Sequence, residues 1–386
     1  ILQPRVTPSL TTGDEASFLQ RVFSVNRGID PYVFAVSDTY QDLLGEGTFT
    51  GKGLYDIDAF ERALKNRVPE NTLLSHDLLE GGYARAALVS DVEVVEDYPT
   101  GYNVDVSRHH RWARGDWQLL PWLFSTRRAV SNVTRWKMID NLRRSLSPIM
   151  WLLASVVGWT ILPIGVAAVW QAFLILSMFV APTLGIVTNL IPSNMDYSLK
   201  GHAQSVLTDI ALGTADVALR TTFIAHSAFL MADAIARTIY RLFVSHRDLL
   251  EWKTAAQAKS SPDTLLYYFQ LMWPAMVIAA IALFIPLGAE SHAALIAAPF
   301  AVIWFASPLI AWLVSRSAKP QDTLEVLSSD KADLRRYARR TWRYFAEFAN
   351  EENNHLPPDN FQEDPAPIVA QRTSPTNIGV YVLSVI

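Results

Sequence analysis

The sequence predicts two fold classes in one chain, a mixed α/β segment followed by an all-helical membrane region. Three observations carry this. Residues 145–195, 264–289 and 291–315 contain no Asp, Glu, Lys or Arg. Before residue 138, strand-like and helix-like stretches alternate, the pattern of an α/β layer. From about residue 320 the chain turns polar again.

The bulk numbers agree. The chain has 386 residues, enough for two or three domains. Charged residues make up 18%, below the roughly 25% of soluble domains. The mean hydropathy is +0.15. A net charge of −4 gives no basic field, so nucleic acid is a poor partner. Cysteine is absent, which excludes disulfides and thiol chemistry. The chain opens on "ILQPRVTPSL" without Met and closes on apolar "NIGVYVLSVI". A piece of a longer polypeptide is expected.

Taken in order, "YVFAVS" (32–37) and "ALVSDVEVV" (87–95) have strand composition. "GEGTFTGKG" (45–53) is a Gly-rich loop. "DAFERALKNR" (58–67) reads as an amphipathic helix with Asp58 as N-cap and Glu61 completing a capping box. "LLEGGYARAAL" (78–88) reads as a second helix, loosened by Gly81 and Gly82. The α/β part is placed at 1–138 and the membrane region at 139–318. A linker helix and the start of a further domain follow at 319–386.

About 20 apolar residues cross a bilayer. Four spans are expected, at 147–168, 171–191, 265–287 and 292–314, the first kinked by Pro163. Trp151, Trp252 and Trp273 suit interfacial positions. Arg135, Lys137, Arg143 and Arg144 read as a positive-inside cluster. Lys200, Lys253, Lys259, Arg316 and Lys319 flank the other spans, and the 286–291 turn has only Glu290. Both ends and the 192–263 connection are therefore expected on the cytoplasmic side. Within it, residues 201–250 mix apolar and charged side chains and read as interfacial amphipathic helices. A soluble helical hairpin is the alternative. "DKADLRRYARRTWRYFAEF" (330–348) is a basic, aromatic helix, and 351–377 reads as ordered loop.

The chemistry narrows by exclusion first. "GEGTFTGKG" is no phosphate-binding P-loop, because Glu46 stands where the first Gly belongs and Gly53 replaces Ser or Thr. "DID" (56–58) serves better as a helix cap than as a metal pair. Side chains of the adjacent His109 and His110 diverge on a helix, so joint chelation is disfavoured. "SRHHRWARGDWQ" (107–118) holds three Arg, two His and two Trp. Asp77 precedes it by about 30 residues, and the spans follow. A carboxylate, a basic-aromatic cluster and membrane helices suit sugar transfer from a nucleotide donor. The acceptor hydroxyl needs a base, a departing diphosphate needs Arg, and a sugar face stacks on an indole. Arg114 and Asp116 are expected as a structural ion pair, Trp117 as core or interface, and His226 as a packed polar residue.

"SHD" sits where processive family-2-type glycosyltransferases, such as cellulose and hyaluronan synthases, carry "ED". "RHHRW" resembles their Q-x-x-R-W motif, with Arg108 in the Gln slot, and "FTGKG" occupies the place of their acceptor-facing loop. "GIDPYVFAVSD", "GEGTFTGKGLYDIDAF", "RWARGDWQLLPW" and "PPDNFQEDPAPIVAQRTSPTNIG" resemble cyclic β-1,2-glucan synthases of Gram-negative bacteria. The resemblance implies the C-terminal half of a GT-A domain before the membrane helices, with a glycoside-hydrolase-like region beginning near residue 351. It implies Asp77 as general base, and Arg108 and Arg111 as donor-binding residues. It implies Trp112 at the acceptor subsite and Thr50, Gly51, Lys52 and Gly53 along the acceptor rim. A protein-bound primer is implied, for which Tyr55 is the candidate. The donor implied is UDP-glucose, with inverting transfer to a growing glucan at the cytoplasmic face of the inner membrane. A divalent cation, Mg or Mn, is implied with ligands upstream of Ile1. A linear polysaccharide synthase and a degenerate membrane scaffold are the alternatives.

Overall fold

A computed structural model describes residues 1–8, 16–24, 37–69, 72–74, 77–96, 98–125, 130–190, 199–252, 264–316 and 328–385. They divide into two compact units, Ile1–Lys319 and Pro320–Ile386. The expected strand at 32–37 lies almost wholly outside the described residues, as do Lys253, Lys259 and Lys319.

The first unit opens with β1 (Leu2–Pro8), α1 (Phe18–Phe23), α2 (Thr39–Leu44), α3 (Ile57–Leu64), α4 (Asp77–Ala84) and β2 (Ala87–Glu96). β1 and β2 pair in parallel, with an irregularity between Pro4 and Arg5. Pro4 has no N–H to give a ladder, which suits a break there. This two-stranded sheet is the whole strand content of the first unit among the described residues. The α/β character is therefore slight, and the chain is mostly helical.

Two sequence expectations are corrected here. The N-cap of α3 is Asp56, whose carboxylate accepts from the Ala59 N–H at 2.7 Å. Asp58 instead lies in the first turn, where its charge favours the helix dipole. α4 starts at Asp77 and ends at Ala84, because Arg85 adopts a positive φ of 62°.

The helical part contains α5 (Tyr102–Gln118), α6 (Leu120–Leu123), α7 (Asn132–Ile161), α8 (Ile164–Asn189) and α9 (Leu199–Tyr240). α10 (Leu265–Gly288) and α11 (Ala294–Ser315) complete it. Among the described residues, three helical stretches are long and apolar enough to cross a membrane: Ile164–Val187, Leu265–Gly288 and Ala294–Ser315. The expected span at 147–168 is broken. Pro163 does not kink one helix; it is the N-cap of α8, and α7 stops at Ile161. α7 thus runs unbroken from its polar start into the uncharged stretch.

The connection at 201–250 is corrected as well. It is one 42-residue helix, α9, closed by a π-helical turn at Arg241–Ser245. α9 packs against α5, α7, α8, α10 and α11. Its buried positions Leu219, Phe223, His226 and Thr238 mark the face that others cover. One cluster joins Trp151, Trp159, Leu174, Ile224 and Trp304. A second joins Leu19 of α1, Tyr102 of α5, Phe223 of α9 and Met272 of α10. α10 and α11 pack against each other, and Ala275, Ala279 and Ala282 of α10 share a buried cluster with Ala297 of α11, small residues that let two helices approach closely. Trp151 is no surface anchor: it is buried, and its Nε1 donates to the Leu174 carbonyl at 3.0 Å.

The second unit holds α12 (Ser328–Phe348), a 3₁₀ turn at Glu351–Asn353, the antiparallel pair β3 (Phe361–Gln362) and β4 (Ile368–Val369), and α13 (Pro375–Val385).

Trp159 is fully buried beside Phe300 and Trp304, with ring centroids 5.3 and 5.9 Å away. Trp159→Ala is expected to cost about 3–5 kcal/mol, seen as a lowered thermal midpoint of the detergent-solubilised chain. An unchanged midpoint contradicts this packing.

Candidate functional site

The site begins with two facing segments, the 45–53 loop and α4. Two adjacent glycines in a helix predict weakness, yet here they serve contact. A Cβ on Gly81 would lie 2.7 Å from the Phe49 Cβ, and one on Gly82 would lie 2.6 Å from Thr134 Oγ1. The loop and the start of α7 therefore rest directly on α4. Further along, a Cβ on Gly51 would stand 3.0 Å from the carboxyl carbon and both oxygens of Asp77. Gly51 also has φ +81°, a conformation that favours glycine. Gly51 and Asp77 are thus in direct apposition.

Both ends of the loop are tied down. Glu46 is buried; its carboxylate accepts from Ser131 Oγ at 2.6 Å, Thr134 Oγ1 at 2.5 Å and Arg85 Nη1 at 3.3 Å. The Lys137 ammonium, also buried, donates to the carbonyl oxygens of Glu46 at 3.1 Å and Gly47 at 2.9 Å. Lys137 also sits 4.6 Å from the Tyr40 ring centroid. It is a structural tie and no member of a solvated cationic cluster. Arg143 and Arg144 are likewise engaged, both with Asp140. At the other end Leu2 and Leu54 exchange backbone hydrogen bonds of 2.8 and 2.9 Å, and the Thr50 N–H donates to Gln3 Oε1 at 2.9 Å. A Cβ on Gly53 would lie 2.8 Å from the Leu2 carbonyl oxygen. Lys52 pairs with Glu96 at 2.9 Å. Tyr55 stacks on Phe60 with centroids 4.3 Å apart, and the residue is 41% exposed.

The basic-aromatic stretch is helical throughout, in α5. Positions 105, 108, 109 and 112 share one face by their three- and four-residue spacing. Arg108 Nη2 donates to Asp105 Oδ1 at 3.0 Å, and its guanidinium stacks between the rings of Tyr98 and Trp112, 4.8 Å from each centroid. His109 meets Trp112 edge-on at 5.5 Å and lies 3.2 Å from Asp105 Oδ2. Burial pushes the Asp105 carboxyl up, but His109 and Arg108 outweigh it and hold the group below the usual carboxylate range. Arg111 points elsewhere, onto the Trp252 ring at 4.6 Å.

The opposite side of α5 holds the scaffold. His110 Nε2 lies 3.0 Å from Asp233 Oδ2 on α9. Arg114 donates to the carbonyls of Asp248, Leu249 and Glu251, and Asp116 accepts from Asn141 at 2.8 Å. The expected Arg114–Asp116 ion pair is therefore replaced, since residues two apart on a helix diverge. Trp117 Nε1 donates to Ser145 Oγ at 2.9 Å. Gln118 accepts from the Leu74 N–H at 2.7 Å and donates to the Leu249 carbonyl at 2.9 Å, joining the approach to α4 with the turn after α9. His226 is buried, with Nδ1 2.9 Å from the Tyr102 hydroxyl.

Sequence reading missed Glu46, Lys137, Asp105, Tyr98 and Gln118. Glu46 carried one signal, a carboxylate between two glycines in a loop with no helix to cap. Lys137 carried none, being one cation among several. Among the described residues, no three His, Asp or Glu side chains gather as a metal site. The divalent cation implied by the resemblance has its ligands expected upstream of Ile1, outside this chain.

Two outcomes follow from this geometry. Lys137→Met removes the donors to two loop carbonyls, an expected loss of about 1–3 kcal/mol. Amide exchange in residues 45–53 should accelerate while α10 and α11 stay protected; unchanged loop exchange contradicts the tie. Burial pushes the Asp116 carboxyl up to about 6, against Asn141 and Arg144. A raised folded pKa stabilises below the unfolded value and is lost as pH rises through the folded one. The thermal midpoint should gain a falling component between about pH 4 and about pH 6 that Asp116→Asn abolishes. An identical pH profile in that variant contradicts it.

No protein-family model matches the chain. It is 57% identical over all 386 residues to the cyclic beta-(1,2)-glucan synthase NdvB of Rhizobium meliloti (strain 1021). The chain spans about 14% of the length of that relative. From its first residue to its last, then, this chain is homologous to one segment of a cyclic beta-(1,2)-glucan synthase.

Proposed function

We propose that the polypeptide containing this chain transfers glucose from UDP-glucose to a growing β-1,2-glucan, with Asp77 as general base. The observation that carries the reading is the apposition of Gly51 and Asp77, since it sets the bare backbone of an anchored loop against the carboxylate at the start of α4. The 57% identity to a protein named as a cyclic glucan synthase supports the product class.

In this reading the Asp77 carboxylate takes the proton of an acceptor hydroxyl. That oxygen attacks C1 of the donor glucose, the C1–O bond to the diphosphate breaks, and the sugar inverts. UDP departs with the bonding electron pair, and Arg108 and Arg111 offset its charge. Trp112 offers its indole face to the acceptor sugar. Thr50 to Gly53 border the acceptor; Thr50 Oγ1 is buried and makes no hydrogen bond with the described residues. Tyr55 is exposed enough to carry a primer glucan. A GT-A domain completed outside this chain would bind the nucleotide and the divalent cation. No step is assigned to the cation, whose ligands are expected upstream of Ile1. The three long apolar helices support a bilayer location, read as the inner membrane with the sugar-transfer site on the cytoplasmic side.

Asp77→Asn keeps the side chain's size and removes the base. In the complete protein in native membranes, glucose incorporation from labelled UDP-glucose should fall roughly 10²–10⁴-fold, with UDP binding unchanged. Retained synthesis removes Asp77 from the role. A product without β-1,2 linkages removes the product assignment.

A further inference from the structure

We propose that the arginine face of α12 is a docking surface for the anionic headgroups of a phospholipid bilayer. Arg335, Arg336, Arg339, Arg340 and Arg343 are all exposed. At about 100° per residue they cover roughly 140° of the helix circumference, with Ala332 in the same arc. Arg343 has an acidic neighbour, Glu347, at 3.3 Å, and no described residue pairs with the other four. Such a concentration of cations in a chain of net charge −4 is a local feature, not an overall one.

The rest of α12 explains which way this face must look. The opposite face carries Phe345 and Phe348 in its C-terminal half, which is already covered by its own unit. Phe345 is buried and meets Tyr381 at 5.1 Å, Phe348 meets Phe361 at 4.8 Å, and the Tyr344 hydroxyl donates to the Pro358 carbonyl at 2.8 Å. With that side held, the arginines are the side left for a partner. Two observations select a lipid surface. The first is charge: clusters of about four to eight Lys or Arg beside a membrane helix bind anionic lipids, and guanidinium forks match phosphate oxygens bidentately. The second is position in the chain: only residues 316–327 separate this helix from the end of α11, a candidate span.

The chain has no cysteine, so Ala332→Cys gives one labelling position on the arginine face. A fluorophore there is read in the full chain reconstituted with a headgroup-linked quencher lipid. Quenching should be several-fold stronger in vesicles of mixed phosphatidylglycerol and phosphatidylcholine than in phosphatidylcholine alone. It should weaken at high salt. It should vanish when Arg335, Arg336, Arg339 and Arg340 are changed to Gln, and survive their change to Lys, which keeps the charge and controls for folding. Quenching that ignores anionic lipid, or persists in the Gln variant, overturns the proposal. So does a label in the complete polypeptide that no vesicle quenches, since another protein segment then covers the face. Glucan synthesis is not the readout, so loss of the Asp77 assignment leaves this test standing.

Discussion

The buried contact between the start of α7 and the 45–53 loop holds the candidate site in shape. A loop of nine residues with four glycines has little conformational preference of its own. Lys137 fixes it by donating to two successive carbonyls, and Glu46 fixes it again through Ser131, Thr134 and Arg85. Both charges are out of water, so each must be satisfied by its neighbours or cost several kcal/mol. That constraint ties the loop's position to the start of α7. It also makes α7 a direct mechanical link, because the same helix continues into the uncharged stretch that follows.

α9 performs the corresponding task for α5. A 42-residue helix of mixed polarity is not stable on propensity alone; it needs partners along its length. It finds them in α5, α7, α8, α10 and α11. His110 to Asp233 and Tyr102 to His226 stitch α5 to it with polar contacts at two levels. One side of α5 is therefore committed to support. The side carrying Asp105, Arg108 and Trp112 keeps a preassembled arrangement in which a guanidinium lies between two aromatic rings. Preassembly of this kind limits the reorganisation needed when a charged ligand arrives.

The glycines illustrate how one residue type takes opposite meanings. In α4, Gly81 and Gly82 weaken the helix in isolation, yet they let Phe49 and Thr134 approach within a distance no side chain would allow. At Gly51 the backbone meets a carboxylate. The helix-propensity cost is offset by contacts that exist only once the loop, α4 and α7 are together.

Local composition was enough for the features that depend on it. Uncharged runs gave the apolar helices at 265–288 and 294–315 within a residue or two, because desolvating a helix requires unbroken apolar side chains. The basic helix at 330–348 and the strand at 87–95 were legible for similar reasons. The long motifs carried the kinship that 57% identity then established. Tertiary structure decided the rest. Whether Pro163 kinks one helix or starts another depends on how α7 and α8 pack. Whether Lys137 meets water or a loop carbonyl depends on a segment 90 residues away. The pairing of β1 with β2, and of Gly51 with Asp77, joins residues whose separation in sequence leaves no periodic trace. Local pattern reports the solvent a segment requires. Contacts between distant segments are set by packing and by the demand that buried polar groups find partners, and those appear only when the chain has folded.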